Sequence, residues 1–153
     1  MTKIMFVCYG NICRSPMAEF IMKDIIQKRN LEKDFFVASS ATSTEEIGSP
    51  VYPSTKKILA QLGISCEDKR AVQLKRSDFD SYDFIIGMES ANVTRIQQIL
   101  NQSHSPKIKR LLDFTPMPKD IDDPWYTRDF QQTYRDVSLG CNCLLDYIIS
   151  QTN

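Results

Sequence analysis

The chain has 153 residues, of which 42% are hydrophobic and 25% are charged. This length and composition are typical of one globular domain, here residues 1–153, with its own hydrophobic core. The 19 basic and 19 acidic residues cancel, so the charge predicts no nucleic-acid partner. No stretch approaches the roughly 18 apolar residues of a membrane span, and the first apolar run is too short for a signal peptide. We therefore predict a cytoplasmic protein without a membrane partner.

The five cysteines are odd in number and lie in or beside apolar stretches, which predicts free thiols in a reducing compartment. Cys141 and Cys143 have the spacing of a zinc-binding pair. However, no second pair exists, and the single histidine, His104, cannot complete four ligands. We expect two buried helix residues there, and neither a metal nor a cofactor.

The first half of the chain alternates between strand and helix patterns. Apolar runs predict strands at residues 3–8 and 35–41. Between them, Ser15 is suited to a helix N-cap and Pro16 to a first turn. Residues 53–62 predict a second helix, which Gly63 ends in a C-cap position.

The second half continues the alternation, with strands at 84–88 and 108–112 and a helix at 91–100. A final helix is predicted from about residue 127 to residue 149. This order favours a parallel sheet covered by helices on both faces and connected by right-handed crossovers. The apolar face of the final helix comprises Phe130, Tyr134, Val137, Cys141, Leu144, Leu145 and Ile148.

The turn after the first strand is the first place to look for a site, because ligands bind beyond the carboxyl ends of such strands. It runs from Cys8 to Arg14, with five residues between them. Backbone N–H groups at a strand–loop–helix turn form a phosphate-sized anion site. Gly10 and Asn11 are residue types that tolerate the positive φ such a turn needs. Arg14 adds a planar fork for two phosphate oxygens.

The same turn would activate Cys8 as a nucleophile. The pKa of a free cysteine thiol is near 8.5, and amides, a helix N-terminus and a guanidinium lower such a pKa to roughly 3.5–7.5. A Cys8–His104 pair stays open as an alternative, although the loop is sufficient. Taken alone, the spacing of Cys8 and Arg14 would favour an interpretation without function, in which the cysteine is a buried strand residue and the arginine a surface charge. The added glycine, asparagine, serine and proline favour the functional interpretation.

Residues 7–16, VCYGNICRSP, closely resemble the signature loop of the low-molecular-weight protein tyrosine phosphatases. The resemblance extends over nearly the whole chain. It implies a single-domain three-layer α/β sandwich, with a four-stranded parallel twisted sheet in the order 2-1-3-4. It also implies hydrolysis of phosphotyrosine and other aryl phosphate monoesters through a phosphocysteine. The substrate would be a phosphotyrosine protein or an aryl phosphate, and the enzyme a monomer or weak dimer.

The resemblance also assigns roles to the loop. Cys8 is the nucleophile, Arg14 the phosphate clamp, Ser15 the hydroxyl that stabilises the thiolate, and Asn11 the residue that holds the loop in its strained shape. It suggests a reversible disulfide between Cys8 and Cys13 that protects the nucleophile, while burial of Cys13 as a small apolar residue is compatible with it. The remaining phosphate-binding positions are Tyr9, Gly10 and Ile12.

The departing oxygen of a phosphate ester needs a proton, and the segment of residues 120–126 is the best source. The family carries its general acid directly before a proline, which corresponds to Asp123. Pro124 restricts Asp123 to extended conformations. The alternative is that these aspartates are solvated charges near a helix start. We expect Asp120 to be such a solvated charge. Whether Asp122 is one or has a function is left open.

Three further positions are predicted to line the pocket. Trp125 and Tyr126 would form aromatic walls for a phenyl ring, although an ordinary exposed ring is an equal alternative for Trp125. Glu45, followed by Glu46, stands where family members often carry an aromatic residue. Carboxylates there would disfavour acidic phosphopeptides, and two solvated loop charges are the alternative.

Glu89, after the third strand, is predicted to support Asn11. Many relatives have histidines near the positions that match Leu62 and Asp68, and this chain has none, so support for the loop must come from elsewhere or be absent. Three other functions are weighed against hydrolysis. Arsenate reduction would need two further cysteines near residues 80–90, where there are none. A sugar-uptake phosphocarrier or a phosphotyrosine-binding module would not need both Arg14 and Asp123.

Overall fold

Four parallel strands form the centre of the protein, whose residues 1–152 are described by a computed structural model. They are β1 (Thr2–Cys8), β2 (Phe35–Ala41), β3 (Phe84–Gly87) and β4 (Ile108–Arg110). Their order in the sheet is β2-β1-β3-β4 and every pairing is parallel, which confirms the prediction. The helices are α1 (Arg14–Lys28), α2 (Pro53–Gln61), α3 (Asp78–Ser81), α4 (Ser90–Leu100), α5 (Pro124–Thr127) and α6 (Phe130–Thr152).

The central strand β1 has apolar side chains on both faces, because helices cover both sides of the sheet. Ile4 and Phe6 point into the larger cluster, which includes buried residues of α1, α2 and α6. Met5 and Val7 point into a second cluster, which includes buried residues of α4. Side chains alternate with a period of two along a strand, so Cys8 lies on the same face as Ile4 and Phe6. The nucleophile candidate therefore ends β1 facing α1.

The predicted strand at 108–112 is too long. β4 ends at Arg110, and Leu111–Phe114 form a 3-10 helix. The Asp113 carboxylate accepts hydrogen bonds from the Arg110 backbone N–H at 2.8 Å and from its Nε at 3.0 Å. These local bonds stabilise a tight turn in place of further strand pairing.

The predicted final helix, from about residue 127 to residue 149, begins and ends too early, and a separate short helix precedes it. The short helix α5 ends where Arg128 adopts a left-handed conformation, with φ of 60°, and α6 begins at Phe130 and reaches Thr152. The predicted apolar face of α6 is confirmed, since Val137, Cys141 and Leu144 are buried. The other predicted helices and strands agree to within about one residue, and Gly63 has the positive φ of a helix C-cap.

At the start of α1 one local prediction is wrong and a second is confirmed only in part. The helix already begins at Arg14, so Ser15 is not its N-cap, and its hydroxyl lies 3.0 Å from Cys8 Sγ instead. Asn11 has a positive φ of 58°, whereas Gly10 does not adopt one. One left-handed residue is thus sufficient for the turn.

No helix within residues 1–152 combines the length and apolarity needed to cross a membrane. In the same residues, no three His, Cys, Asp or Glu side chains are grouped so that they could hold a metal ion.

Gly140 allows α6 to pack closely on the 3-10 helix. A Cβ at this position would lie 2.5 Å from Cγ of the fully buried Leu111. We expect Gly140→Ala to lower the free energy of unfolding by about 1–3 kcal/mol, because overpacking outweighs the better helix propensity of alanine. Chemical denaturation measures this. The control Leu139→Ala, at an exposed neighbouring position, should change stability by less, and an unchanged Gly140→Ala would contradict the close packing.

Candidate active site

The Cys8 sulfur lies inside the turn that connects β1 to α1. Only 3% of Cys8 is exposed. The backbone N–H groups of Asn11 and Ser15 point at Sγ, with nitrogen–sulfur distances of 3.3 and 3.4 Å. The Ser15 hydroxyl oxygen lies 3.0 Å from the same sulfur. Such a nest of donors at a helix N-terminus favours an anion, either a thiolate or a bound phosphate.

Asn11 holds the turn through three side-chain hydrogen bonds. Its Oδ1 accepts from the Val72 backbone N–H at 3.1 Å. Its Nδ2 donates to Ser15 Oγ at 2.8 Å and to Ser39 Oγ at 2.9 Å. Asn11 is almost fully buried, and asparagine tolerates the left-handed region better than most residues. These bonds fix the direction in which the loop N–H groups point.

Arg14 is buried beside the turn and is anchored from two sides. Its Nη1 donates to Glu89 Oε2 at 2.5 Å and to the Ile121 carbonyl at 2.9 Å. The prediction that Glu89 supports Asn11 is therefore wrong, since its carboxylate binds Arg14. Burial opposes the charge of Arg14, but the negative charges of Cys8, Asp123 and Glu89 raise its pKa above the ordinary value. Arg14 thus stays a cation next to the sulfur.

Asp123 precedes α5 and faces Arg14. Its Oδ2 lies 3.4 Å from Arg14 Nη2, while its Oδ1 accepts from the Trp125 backbone N–H at 3.0 Å. Asp123 is therefore the N-cap of α5 and a neighbour of the phosphate clamp at once. Because one oxygen is held by the helix, the other has a fixed direction toward the loop.

Asp120 is exposed, as the sequence predicts, but its carboxylate also accepts hydrogen bonds. Its Oδ1 accepts from the Ser90 backbone N–H at 2.8 Å, from Ser90 Oγ at 3.0 Å and from Arg110 Nη1 at 3.0 Å. These bonds connect the segment before α5 to the start of α4. Asp122 is exposed as well.

A cavity of about 200 Å³ opens above the sulfur. Two of its lining residues, Tyr52 and Phe130, were not predicted from the sequence. Their rings stack with centroids 5.6 Å apart, and Trp125 meets Tyr52 edge-on at 5.5 Å. The Arg128 guanidinium lies 5.3 Å from the centre of the Trp125 ring. The other lining residues are Cys8, Tyr9, Gly10, Ile12, Cys13, Arg14, Glu45, Glu46, Asp123 and Tyr126.

Acidic residues occupy the mouth of this cavity. The Tyr9 hydroxyl donates to Glu45 Oε1 at 2.6 Å, and this bond raises the pKa of Tyr9. Glu46 also lines the cavity and accepts from Ser49 Oγ at 2.9 Å. Glu45 is exposed, so its charge is accessible to a molecule entering the cavity.

Cys13 lines the same cavity as Cys8, but its environment differs. Its sulfur lies 3.0 Å from Thr55 Oγ1, and burial raises the pKa of Cys13 to about 12. Cys13 is therefore a neutral thiol at physiological pH. Both cysteines are free thiols in this structure.

These contacts bring a sulfur, a guanidinium and a carboxyl group together at one cavity. Arg14 and the loop N–H groups favour a tetrahedral anion beside the sulfur, and the Asp123 carboxyl group lines the same cavity. The model of the family described as "Low molecular weight phosphotyrosine protein phosphatase" matches residues 3–152. The chain belongs to this family.

Its relatives agree with this assignment. The chain is 39% identical over 154 residues to the low molecular weight protein-tyrosine-phosphatase PtpA of Staphylococcus epidermidis, which covers 100% of this chain and 97% of that protein. It is 37% identical over 147 residues to the low molecular weight protein-tyrosine-phosphatase YfkJ of Bacillus subtilis, in an alignment that covers 95% of this chain and 94% of that protein. The crystal structure of YfkJ matches with a TM-score of 0.96 at 35% identity, and the match covers 100% of this chain and 98% of that chain. A Drosophila arginine phosphatase, DARP, matches with a TM-score of 0.86 at 27% identity, covering 97% and 98%.

The contact between Glu89 and Arg14 gives a test of this low molecular weight phosphatase site. We expect Glu89→Ala to weaken the binding of inorganic phosphate and to lower kcat/KM for para-nitrophenyl phosphate about tenfold to a hundredfold. The reason is that a charge-assisted hydrogen bond contributes about 1.5–3 kcal/mol. Calorimetry and steady-state kinetics measure the two effects. The exposed Glu32→Ala is the control, and equal behaviour of the two variants would contradict an anchoring role.

Proposed function

We propose that this protein hydrolyses phosphotyrosine and other aryl phosphate monoesters through a phosphocysteine formed on Cys8. One observation carries the proposal: Cys8, Arg14 and Asp123 meet at the same cavity, with Asp123 Oδ2 3.4 Å from Arg14 Nη2. In this mechanism Cys8 is the nucleophile, Arg14 the phosphate clamp and Asp123 the general acid.

The reaction has two steps. In the first step, Cys8 Sγ attacks phosphorus, the bond from phosphorus to the ester oxygen breaks, and Asp123 gives its proton to the departing phenolate. In the second, Asp123 takes a proton from a water molecule, whose oxygen attacks the phosphocysteine and releases phosphate and the Cys8 thiolate. Arg14 and the loop N–H groups stabilise the equatorial oxygens in both steps.

The cavity favours an aryl ester over an alkyl ester. Tyr9, Trp125 and Tyr126 are exposed aromatic residues that line it, and they offer contacts to a phenyl ring. Phosphoserine has a shorter side chain that would leave these rings uncontacted, so the enzyme should discriminate against it.

Two other substrates, phosphoarginine and arsenate, are alternatives to aryl phosphates. DARP is named for an arginine phosphatase activity, and the carboxylates of Glu45 and Glu46 are groups that would accept a guanidinium. Phosphoarginine is therefore included in the assays below as a comparison. Arsenate reduction has less support, because the five cysteines include none between residues 80 and 90.

Several finer expectations stay predictions. The protein is expected in the cytoplasm, as a monomer or weak dimer without a nucleic-acid partner. A reversible Cys8–Cys13 disulfide is also expected, and it is supported by the presence of both free thiols at one cavity.

The roles of Cys8 and Asp123 can be separated by the leaving group. We expect Cys8→Ser to abolish hydrolysis of every ester. Asp123→Asn should lower kcat about a hundredfold or more for phenyl phosphate, whose phenolate needs a proton, and less for para-nitrophenyl phosphate, whose leaving group does not. Equal losses for both esters would contradict a general acid, and the exposed neighbour Asp122→Asn serves as the control.

Faster turnover of phosphoarginine than of phosphotyrosine would contradict the proposed substrate.

The charge of Glu45 should affect the choice of peptide. We expect wild-type protein to prefer a basic phosphotyrosine peptide to an acidic one, and Glu45→Gln to reduce this preference about threefold to tenfold. Glutamine retains an acceptor for the Tyr9 hydroxyl, so the change isolates the charge. Comparing kcat/KM for both peptides at low and high salt measures it, since screening should weaken the effect. Glu32→Gln is the control, and equal ratios for all three proteins would show that Glu45 is only a solvated charge.

A further inference from the structure

Lys69, in the segment after α2, lies largely buried behind the Cys8 turn and does not line the cavity. Its side chain is 12% exposed, and its Nζ donates to the Ser39 carbonyl at 2.9 Å. Its counter-ion is Glu19 of α1, with 3.7 Å between Nζ and Oε1 and with only 6% of the Glu19 side chain exposed. Charged side chains are rarely this buried unless they are paired, so this ion pair requires an explanation.

Glu19 receives a hydrogen bond that leads toward the nucleophile. The Ser39 hydroxyl donates to Glu19 Oε1 at 2.6 Å. An ionised carboxylate only accepts, so this bond uses the single hydrogen of Ser39. Ser39 Oγ must therefore accept from Asn11 Nδ2, which lies 2.9 Å away. The charge on Glu19 thus holds the Ser39 hydrogen away from Asn11, which leaves Ser39 Oγ free to accept from the Asn11 amide.

The same direction continues to the sulfur. Asn11 Nδ2 uses its other hydrogen on Ser15 Oγ at 2.8 Å, which makes Ser15 an acceptor in that bond. The Ser15 hydrogen is then available either to Cys8 Sγ at 3.0 Å or to the Ser40 carbonyl at 3.4 Å. A thiolate is the closer and the charged acceptor, so the hydroxyl donates to it.

We propose that Lys69 is a positioning residue for the Cys8 thiolate, a role that rests on the proposed function of Cys8. Its ammonium keeps Glu19 ionised in a buried site, and Glu19 in turn directs the hydrogen bonds of Ser39, Asn11 and Ser15 toward the sulfur. Lys69 also adds a second positive charge near Cys8, separate from that of Arg14. This is the support for the loop that histidines would otherwise supply.

The electrostatics agree with this arrangement. Burial lowers the pKa of Lys69, and the negative charges of Glu19 and Cys8 oppose that effect. Lys23 is the other cation at Glu19, with 2.5 Å between Nζ and Oε2, but its side chain is 45% exposed and therefore more screened. The charged and titratable groups around this part of the structure are Cys13, Arg14, Glu19, Lys23, Lys69, Glu89 and Asp123.

The rate of Cys8 alkylation by iodoacetamide, measured against pH, tests the proposal without turnover, because only the thiolate reacts. Peptide mass spectrometry distinguishes Cys8 from Cys13, whose pKa is about 12. We expect Lys69→Met to move the midpoint of the Cys8 profile upward by about half a unit to one unit. Lys69→Gln keeps a donor for the Ser39 carbonyl but lacks the charge, and should show the same shift. Lys69→Arg keeps the charge and should retain the wild-type midpoint.

Lys28→Met is the matched control, because Lys28 is an exposed lysine of α1 that pairs with Asp24 instead. Its profile should equal that of the wild type. An unchanged midpoint in Lys69→Met and Lys69→Gln would overturn the proposal. An equal shift in Lys69→Arg would also overturn it, because the charge would then not be the cause. If wild-type Cys8 reacted no faster than an ordinary thiol at neutral pH, the proposed function itself would fail. Thermal unfolding confirms that each variant is folded.

Discussion

The direction in which the backbone leaves β1 at Cys8 determines every other contact in the site. The strand places the sulfur on the face that packs against α1. One left-handed residue, Asn11, turns the backbone so that its own N–H group and that of Ser15 point back at the sulfur. A buried sulfur in an apolar core would stay protonated, because burial disfavours a charge. Here the N–H groups of Asn11 and Ser15 and the Ser15 hydroxyl contact the sulfur instead of apolar groups. The fold therefore makes the anion site before any substrate is present.

Arg14 connects this turn to two distant parts of the chain. Glu89 at the start of α4 and the Ile121 carbonyl before α5 both accept from the same Nη1. Asp123, two residues after Ile121, is thereby held within reach of Arg14. A shift of the guanidinium would move the clamp and the acid together, because one side chain orients both. The geometry of the proposed proton transfer is thus coupled to phosphate binding.

The features that could be predicted from the sequence are those that neighbouring residues determine. The strands, most helix bounds and the Cys8–Arg14 turn follow from periodicity and from residue types that favour a turn. No local pattern indicates contacts between residues that are far apart in sequence. These contacts are the bond from Arg14 to Glu89, the ion pair of Glu19 with Lys69, and the stacking of Tyr52 on Phe130. Arg128 separates α5 from α6 by a left-handed conformation that glycine, and not arginine, usually signals.

A net charge of zero is consistent with the anionic ligand that we propose, because the positive and negative side chains of the site lie at different depths. Arg14 is buried, and Lys69, the second cation that we propose to act on the sulfur, is largely buried, whereas Glu45 at the cavity mouth is exposed. A buried charge interacts through a medium of low dielectric constant, while an exposed one is screened by water and salt. The phosphate would therefore meet strong attraction only after it enters the cavity. Affinity for the phosphate and selection among peptides can then vary independently, since different residues at different depths govern them.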